Sequence, residues 1–351
     1  GAELGLLFLI RQGFFQNVDL EVIALRKGSG KLISDLEALD VNLTVLSNDK
    51  KFNFISMPLI IIRYIYCVIS KKPKFIIFSL PLSNLIGRLF TPFFNKITLI
   101  SFEHTTNLKS IYYFLLKSLS FRIDVVFADC YTTLQECKNF YFKNQKKSGH
   151  VVPLVSFTKD YPKINYQNIN RKKFNFFSVG RICEEKNYEY IIDILSIFLD
   201  KYHYDFKYTI IGNDTGENKL KDYVSMKNLQ SHIHFAGECD DWLEIVKESD
   251  VYILGSLQEG LSISTIEAMA HGFCVISTDV GGIREYGVDN YNMQKIKKFN
   301  PNETADILFD ICNKPQKRNK FGKNARRTIL DHFGNDIVHN KLKKIQSIFL
   351  N

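Results

Sequence analysis

No apolar run in this chain reaches the ~18 uncharged residues that a bilayer-crossing helix takes. The longest, Ile55 to Ile69, is shorter and carries Arg63. The chain also does not open with the basic-then-apolar pattern of a secretory signal, and a soluble protein is expected. Seven cysteines (Cys67, Cys130, Cys137, Cys183, Cys239, Cys274 and Cys312) are scattered and odd in number, with no C-x-x-C pair. That pattern excludes a disulfide framework and a thiolate zinc site, and it favours reduced thiols in the cytoplasm. Repeats at solenoid periods are missing as well. So is the buried first strand with its glycine-rich turn that starts a doubly wound domain, because Gly1-Ala2-Glu3 runs straight into the helical stretch Leu4 to Ile10.

What is present is a chain of 351 residues, 45% hydrophobic and 24% charged, enough for two ordinary domains with their own cores. Apolar runs of strand length alternate with helical periods throughout, the rhythm of parallel α/β domains. In the first half, strands are expected at Leu20–Leu25, Val41–Leu46, Lys74–Phe78, Ile97–Phe102, Val125–Asp129 and Val151–Leu154. The polar stretch Ser156 to Lys173, broken by Pro162, reads as a linker. Charge divides at that point. Residues 1–170 hold 21 Lys and Arg against 12 Asp and Glu, whereas residues 171–351 hold 25 against 25. In the first half Lys50, Lys51, Lys71, Lys72, Lys74, Lys143, Lys146 and Lys147 are interleaved with Phe, Tyr and Ile. This suits an anionic membrane surface better than nucleic acid. Simple solvation of a basic surface accounts for them equally.

The most informative segment is Glu259-Gly-Leu-Ser-Ile-Ser-Thr-Ile-Glu267. It follows the strand Val251–Leu254 and runs into an apolar helix, so it caps the carboxyl end of a buried strand, where ligands of open α/β sheets bind. The amides of Leu261, Ser262 and Ile263 at the helix start suit a phosphate. A carboxylate would be repelled there, so Glu259 and Glu267 are read as acceptors for sugar hydroxyls. A second reading makes Ser264 and Glu267 a capping box and Glu259 a solvated loop acid. Upstream, Arg181 and Lys186 follow the strand Phe174–Ser178 in one loop and can neutralise a diphosphate, or else pair with Glu184 and Glu185. The turn Gly212-Asn213 ends the strand Tyr208–Ile211 and offers main-chain groups to a nucleobase. Asp240-Asp241 precedes a helix and is read as helix-terminal charge, not as a metal site.

Several segments together resemble the family 4 retaining glycosyltransferases: Glu259 to Glu267 with its continuation through Val280-Gly281-Gly282-Ile283-Arg284-Glu285, Phe177 to Arg181 with Glu185-Lys186-Asn187, Ile210 to Asn213, and a turn at Phe235-Ala236-Gly237. The resemblance spans about residues 174–350. It implies the GT-B fold, two Rossmann-like α/β domains facing a cleft. Residues 1–160, completed by the helix 336–350, would form the acceptor-side domain, and residues 171–335 the donor-binding domain. Gly1-Ala2 would be the remnant of the glycine-rich loop, with the first strand of that domain missing. The implied reaction moves a sugar, with retention, from a nucleoside diphosphate sugar to a hydroxyl acceptor. Glu259 would hold the donor hexose, Glu267 the ribose and Arg181 with Lys186 the diphosphate, while His104 lies near the anomeric carbon, oriented by Glu103. Neither cofactor nor metal is implied. The acceptor would be a lipid-linked or glycan intermediate of bacterial capsule, O-antigen or lipopolysaccharide, made at the inner face of the plasma membrane. Ser79, where many relatives carry histidine, and Leu154, where Asn is common, depart from the pattern. They keep two alternatives open: an inactive donor-binding subunit, or a GT-B nucleotide-sugar epimerase.

Overall fold

The computed structural model describes residues 2–27, 31–49, 54–92, 97–105, 110–140, 147–164, 173–214, 218–239 and 241–350. The chain divides into two compact units, residues 1–155 with 338–351, and residues 156–337. The segment expected to be a linker is partly tied into the second unit. Phe157 N–H donates to Phe333 O, Asn335 N–H donates to Phe157 O, and Ile164 N–H donates to His271 O.

The first unit runs α1 (Ala2–Arg11), β1 (Glu21–Ala24), α2 (Lys31–Ala38), β2 (Asn42–Val45), α3 (Met57–Lys71), β3 (Phe75–Ser79), α4 (Pro81–Phe90), β4 (Thr98–Glu103), α5 (Ser110–Ser118), β5 (Val125–Ala128), α6 (Tyr131–Phe140) and β6 (Ser148–Val151). Among the described residues its strands form two parallel sheets, β1-β2 and β3-β4-β5-β6. Gly1 lies outside the described residues, and Ala2 opens α1. Helix α4 starts at Pro81 because proline's fixed φ and missing N–H suit the first helical position. One boundary differs from expectation for an identifiable reason. Strand β6 ends at Val151, where Val151–Leu154 was expected, because Pro153 cannot donate to a ladder.

The second unit runs β7 (Lys173–Val179), α7 (Tyr188–Tyr202), β8 (Asp205–Ile211), α8 (Lys219–Met226), β9 (Ile233–Gly237), α9 (Trp242–Val246), β10 (Val251–Leu254), α10 (Ile263–His271), β11 (Cys274–Thr278), α11 (Ile283–Tyr286), β12 (Gln294–Ile296), α12 (Pro301–Asn313) and α13 (Pro315–Phe333). Helix α14 (Asn335–Leu350) begins here and continues into the first unit. All pairings are parallel, in the order β12-β11-β10-β7-β8-β9. Strands β10 and β11, inside the sheet, are buried at every residue, which is why they read as continuous apolar runs rather than alternating ones. Phe176 and Phe177 are both fully buried although they point to opposite faces. Phe235-Ala236-Gly237, expected as a turn, is the end of β9. The chain starts at β7, winds outward to β9, then returns to β10 on the other side of β7. The order therefore reverses between β7 and β10, and that switch point opens a crevice at the strands' carboxyl ends.

In the first unit the strand that leads to His104 is anchored by a buried polar cluster. Arg88 on α4, 1% exposed, donates to Leu116 O at 2.6 Å, to Ser101 Oγ at 3.0 Å and to Glu103 Oε1 at 3.4 Å. Ser101 Oγ in turn reaches Glu103 Oε1 at 2.5 Å. Removing one partner of such a buried pair strands the other's charge, at a cost of about 3–5 kcal/mol. We expect Arg88→Met to lose stability on that scale in urea unfolding. The double change Arg88→Met with Glu103→Gln should recover much of the loss; a single variant as stable as the parent would show that the cluster is not coupled.

Candidate functional site

The carboxyl ends of β7 and β10 meet at the switch point, and each loop delivers one charged side chain to it. Lys186 follows β7 and Glu259 follows β10, and Lys186 Nζ donates to Glu259 Oε1 at 2.7 Å. The pair is largely shielded, the side chains being 16% and 9% exposed, so it is stronger than a surface pair. Ser256 Oγ donates to the same carboxylate oxygen at 2.6 Å. Asn187, in the left-handed region at φ 50°, donates through its amide to Gly255 O at 3.2 Å and ties the two loops together. Lys186 does not pair with Glu184 or Glu185 as the surface reading would have it; its partner is 73 residues away in sequence. Arg181 stands exposed on the same loop.

Glycines let these loops approach. Gly180 N–H donates to Ile211 O, Ile182 N–H to Asn213 O and Gly212 N–H to Gly237 O, lacing the ends of β7, β8 and β9. A Cβ on Gly212 would lie 2.0 Å from Gly180 O, and one on Gly281 would lie 2.0 Å from Glu259 O. Thus the main-chain groups expected to face a nucleobase, Gly212 N–H and Asn213 C=O, already serve the scaffold. Gly281-Gly282, noted only as part of a motif, presses on the Glu259 loop, with Gly282 N–H donating to Gly260 O at 2.7 Å.

Helix α10 starts at Ile263, with Ser262 at its N-cap in the left-handed region at φ 60°. The expected capping box is absent, since Ser264 lies inside the first turn and its hydroxyl meets Tyr252 OH at 3.1 Å. Ser262 instead shares a hydrogen bond with Thr265 Oγ1 at 3.0 Å. Leu261, Ser262 and Ile263 therefore do lead into the helix N-terminus, where partial positive charge favours an anion. Released from capping, Glu267 is half-buried. Burial pushes its carboxyl up to about 7, opposed by a hydrogen bond from Trp242. Trp242 is the one tryptophan of the chain, and no sequence spacing relates it to Glu267; only the packing of α9 beside α10 does.

His104, in the first unit, sits just beyond β4. Its Nε2 is 3.0 Å from Ser79 Oγ, at the end of β3, and its Nδ1 is 3.7 Å from Asp129 Oδ2, just beyond β5. The ring stacks on Phe102 with centroids 4.6 Å apart. Three adjacent parallel strands thus contribute one group each. With the Nδ1 proton toward Asp129, Nε2 accepts from the Ser79 hydroxyl. Glu103 does not orient the imidazole, because successive strand residues face opposite sides and Glu103 turns to Arg88. Sequence reading missed both Ser79 and Asp129 as partners, since 25 residues separate His104 from each of them.

Residues 162–328 match the model of the family described as glycosyl transferases group 1. Among curated proteins, an uncharacterized glycosyltransferase of Methanocaldococcus jannaschii is 27% identical over 199 residues, covering 54% of this chain and 52% of that protein. The capsular polysaccharide biosynthesis glycosyltransferase CapH of Staphylococcus aureus is 28% identical over 117 residues, 32% of this chain and 33% of that one. The chain thus spans about half, or less, of the length of the curated relatives it matches. Among solved structures, Anabaena HepE in complex with UDP-glucose superposes with a TM-score of 0.81 at 17% identity, over 99% of this chain and 96% of that one. The fold is GT-B.

The raised carboxyl of Glu267 makes a thermodynamic prediction. An acid with a folded-state value near 7, above its ordinary 4.5, holds its proton more tightly when folded. Its contribution is full below about pH 4.5 and is lost as pH rises toward 7. Glu267→Gln should flatten that part of the stability profile and unfold at higher urea than the parent at pH 8. An unchanged profile would show that the carboxylate is well solvated.

Proposed function

We propose that this chain is a retaining glycosyltransferase of group 1 that moves a sugar from a nucleoside diphosphate donor to a hydroxyl acceptor during bacterial cell-surface polysaccharide assembly. The observation that carries the reading is the Lys186–Glu259 pair at the β7/β10 switch point, beside the start of α10. Expelling a nucleoside diphosphate requires that negative charge be met where it develops. Lys186, Arg181 and the amides of Leu261, Ser262 and Ile263 are the groups assigned to that charge, and no metal is proposed. Glu259 keeps Lys186 and Ser256 on one oxygen and offers the other to donor sugar hydroxyls. Glu267 accepts from the ribose. As ribose hydroxyls donate to it, its proton leaves more readily, so donor binding near pH 7 should release protons.

The donor is proposed to be a uridine nucleotide sugar, a reading supported by the likeness of the fold to HepE with UDP-glucose. An acceptor in capsule or related polysaccharide synthesis is supported by the similarity to CapH. His104, held by Ser79 and Asp129, is assigned to the reacting sugar or the departing phosphate. A front-face course, in which the leaving phosphate helps to deprotonate the acceptor, needs no further base from the chain. The inner face of the plasma membrane is the proposed place of work.

A panel of nucleotide sugars, assayed for transfer and hydrolysis with and without glycan acceptors, tests the reading. Lys186→Met and Glu259→Gln should each lower kcat/KM by about 100-fold or more. Lys186→Met should weaken nucleoside diphosphate binding, whereas Glu259→Gln should act mainly on the sugar. Binding without turnover in the parent would point to a scaffold subunit, and an epimeric nucleotide sugar formed without acceptor would point to an epimerase. Full activity in either variant would remove the pair from the mechanism.

A further inference from the structure

Helix α3 has two apolar faces, and the fold uses only one. Ile60, Tyr64 and Val68, spaced by four, are buried in the first unit's core. On the opposite side Ile55, just ahead of the helix, and Leu59, Ile62, Tyr66 and Ile69 form a second stripe, with Ile62 63% and Tyr66 72% exposed. At 100° per residue those five positions fall within about a quarter of the circumference, along a helix roughly 22 Å long. Single exposed apolar side chains are ordinary; a contiguous row of this length marks an interaction surface.

The charge around the stripe says what kind of surface it meets. Residues 50–102 contain no Asp or Glu; of their eight Lys and Arg, Lys50, Lys51 and Lys96 lie outside the described residues and Arg88 is buried against Glu103. Lys72 and Lys74 are exposed just past the end of α3, while Lys71 is held by Glu21 at 3.3 Å. A second copy of the chain would bring two like-charged basic faces together about a two-fold axis, which is unfavourable. Nucleic acid would meet the lysines but leave the aliphatic stripe in water. A bilayer with anionic headgroups satisfies both features, with the apolar row in the acyl boundary and the lysines at the phosphates.

We propose that the outer face of α3 docks this protein on an anionic lipid surface. The helix lies in the interface and does not cross it, as no helix among the described residues is long and apolar enough to span a membrane. The proposal makes definite the membrane association named above, but it stands on exposure and charge and assumes nothing about the reaction. It is tested without turnover, so its failure leaves glycosyl transfer untouched.

The experiment is co-sedimentation of the full chain with phosphatidylcholine vesicles and with vesicles also containing phosphatidylglycerol, at low and high salt. Binding is expected only with phosphatidylglycerol and should weaken with salt. Ile62→Gln with Tyr66→Gln should lower the partition coefficient at least about tenfold, because two large side chains no longer leave water. Lys72→Gln with Lys74→Gln should lower it by roughly 5- to 25-fold. Urea midpoints of both variants should match the parent, since none of the four side chains is buried. Absence of vesicle binding, or equal binding by the Ile62/Tyr66 variant, overturns the proposal. So does a parent dimer in analytical ultracentrifugation that the Ile62/Tyr66 variant converts to monomer, which would assign the face to a second copy.

Discussion

Opposite charges on two loops, Lys186 and Glu259, close the second unit's sheet at the one place where its strand order reverses. Beside their 2.7 Å contact, Gly212 and Gly281 let main chains approach to distances that a Cβ would forbid. The glycines and the ion pair are therefore one constraint. Backbone proximity sets the geometry, and the low local dielectric then makes the pair, and any phosphate beside it, electrostatically significant. Ser256 completes the arrangement by fixing which carboxylate oxygen the lysine uses.

Glu267 shows the complementary strategy. Where Glu259 is paired with a cation, Glu267 is half-buried beside an indole and burial pushes its carboxyl up to about 7. Two acids eight residues apart in sequence thus differ in environment: one is anchored by charge, the other holds its proton more tightly because of burial. Such a group opposes folding at neutral pH, and local destabilisation of this sort is characteristic of functional positions.

The first unit brings three polar side chains together at the carboxyl ends of β3, β4 and β5. Ser79, His104 and Asp129 come from three successive strands, while the Arg88–Glu103 cluster fixes the strand between them from the other side. The same unit carries the excess positive charge of the chain and the unburied apolar row of α3. The one acid between Asp49 and Asp124, Glu103, is buried and paired with Arg88, so it does not offset the basic surface of that stretch.

Parallel α/β architecture and the strand-to-helix turn at Glu259–Glu267 were legible in the sequence. They depend on local periodicity, on strand-to-helix turns and on residue types at short spacing, which a linear chain displays directly. Lys186 and Arg181 were legible as loop cations for the same reason. The capping box at Ser264 was misread because Ser262, Ser264 and Thr265 all suit an N-cap, and Ser262's left-handed backbone, packed under Tyr286, decides among them. Equally hidden were the partners of each functional side chain: Glu259 for Lys186, Trp242 for Glu267, Ser79 and Asp129 for His104, Arg88 for Glu103. Composition and spacing determine which elements form and which ends of them carry chemistry. Which side chains meet is decided only when strands distant in sequence become neighbours in a sheet, because register and crossover bring those atoms within hydrogen-bonding reach.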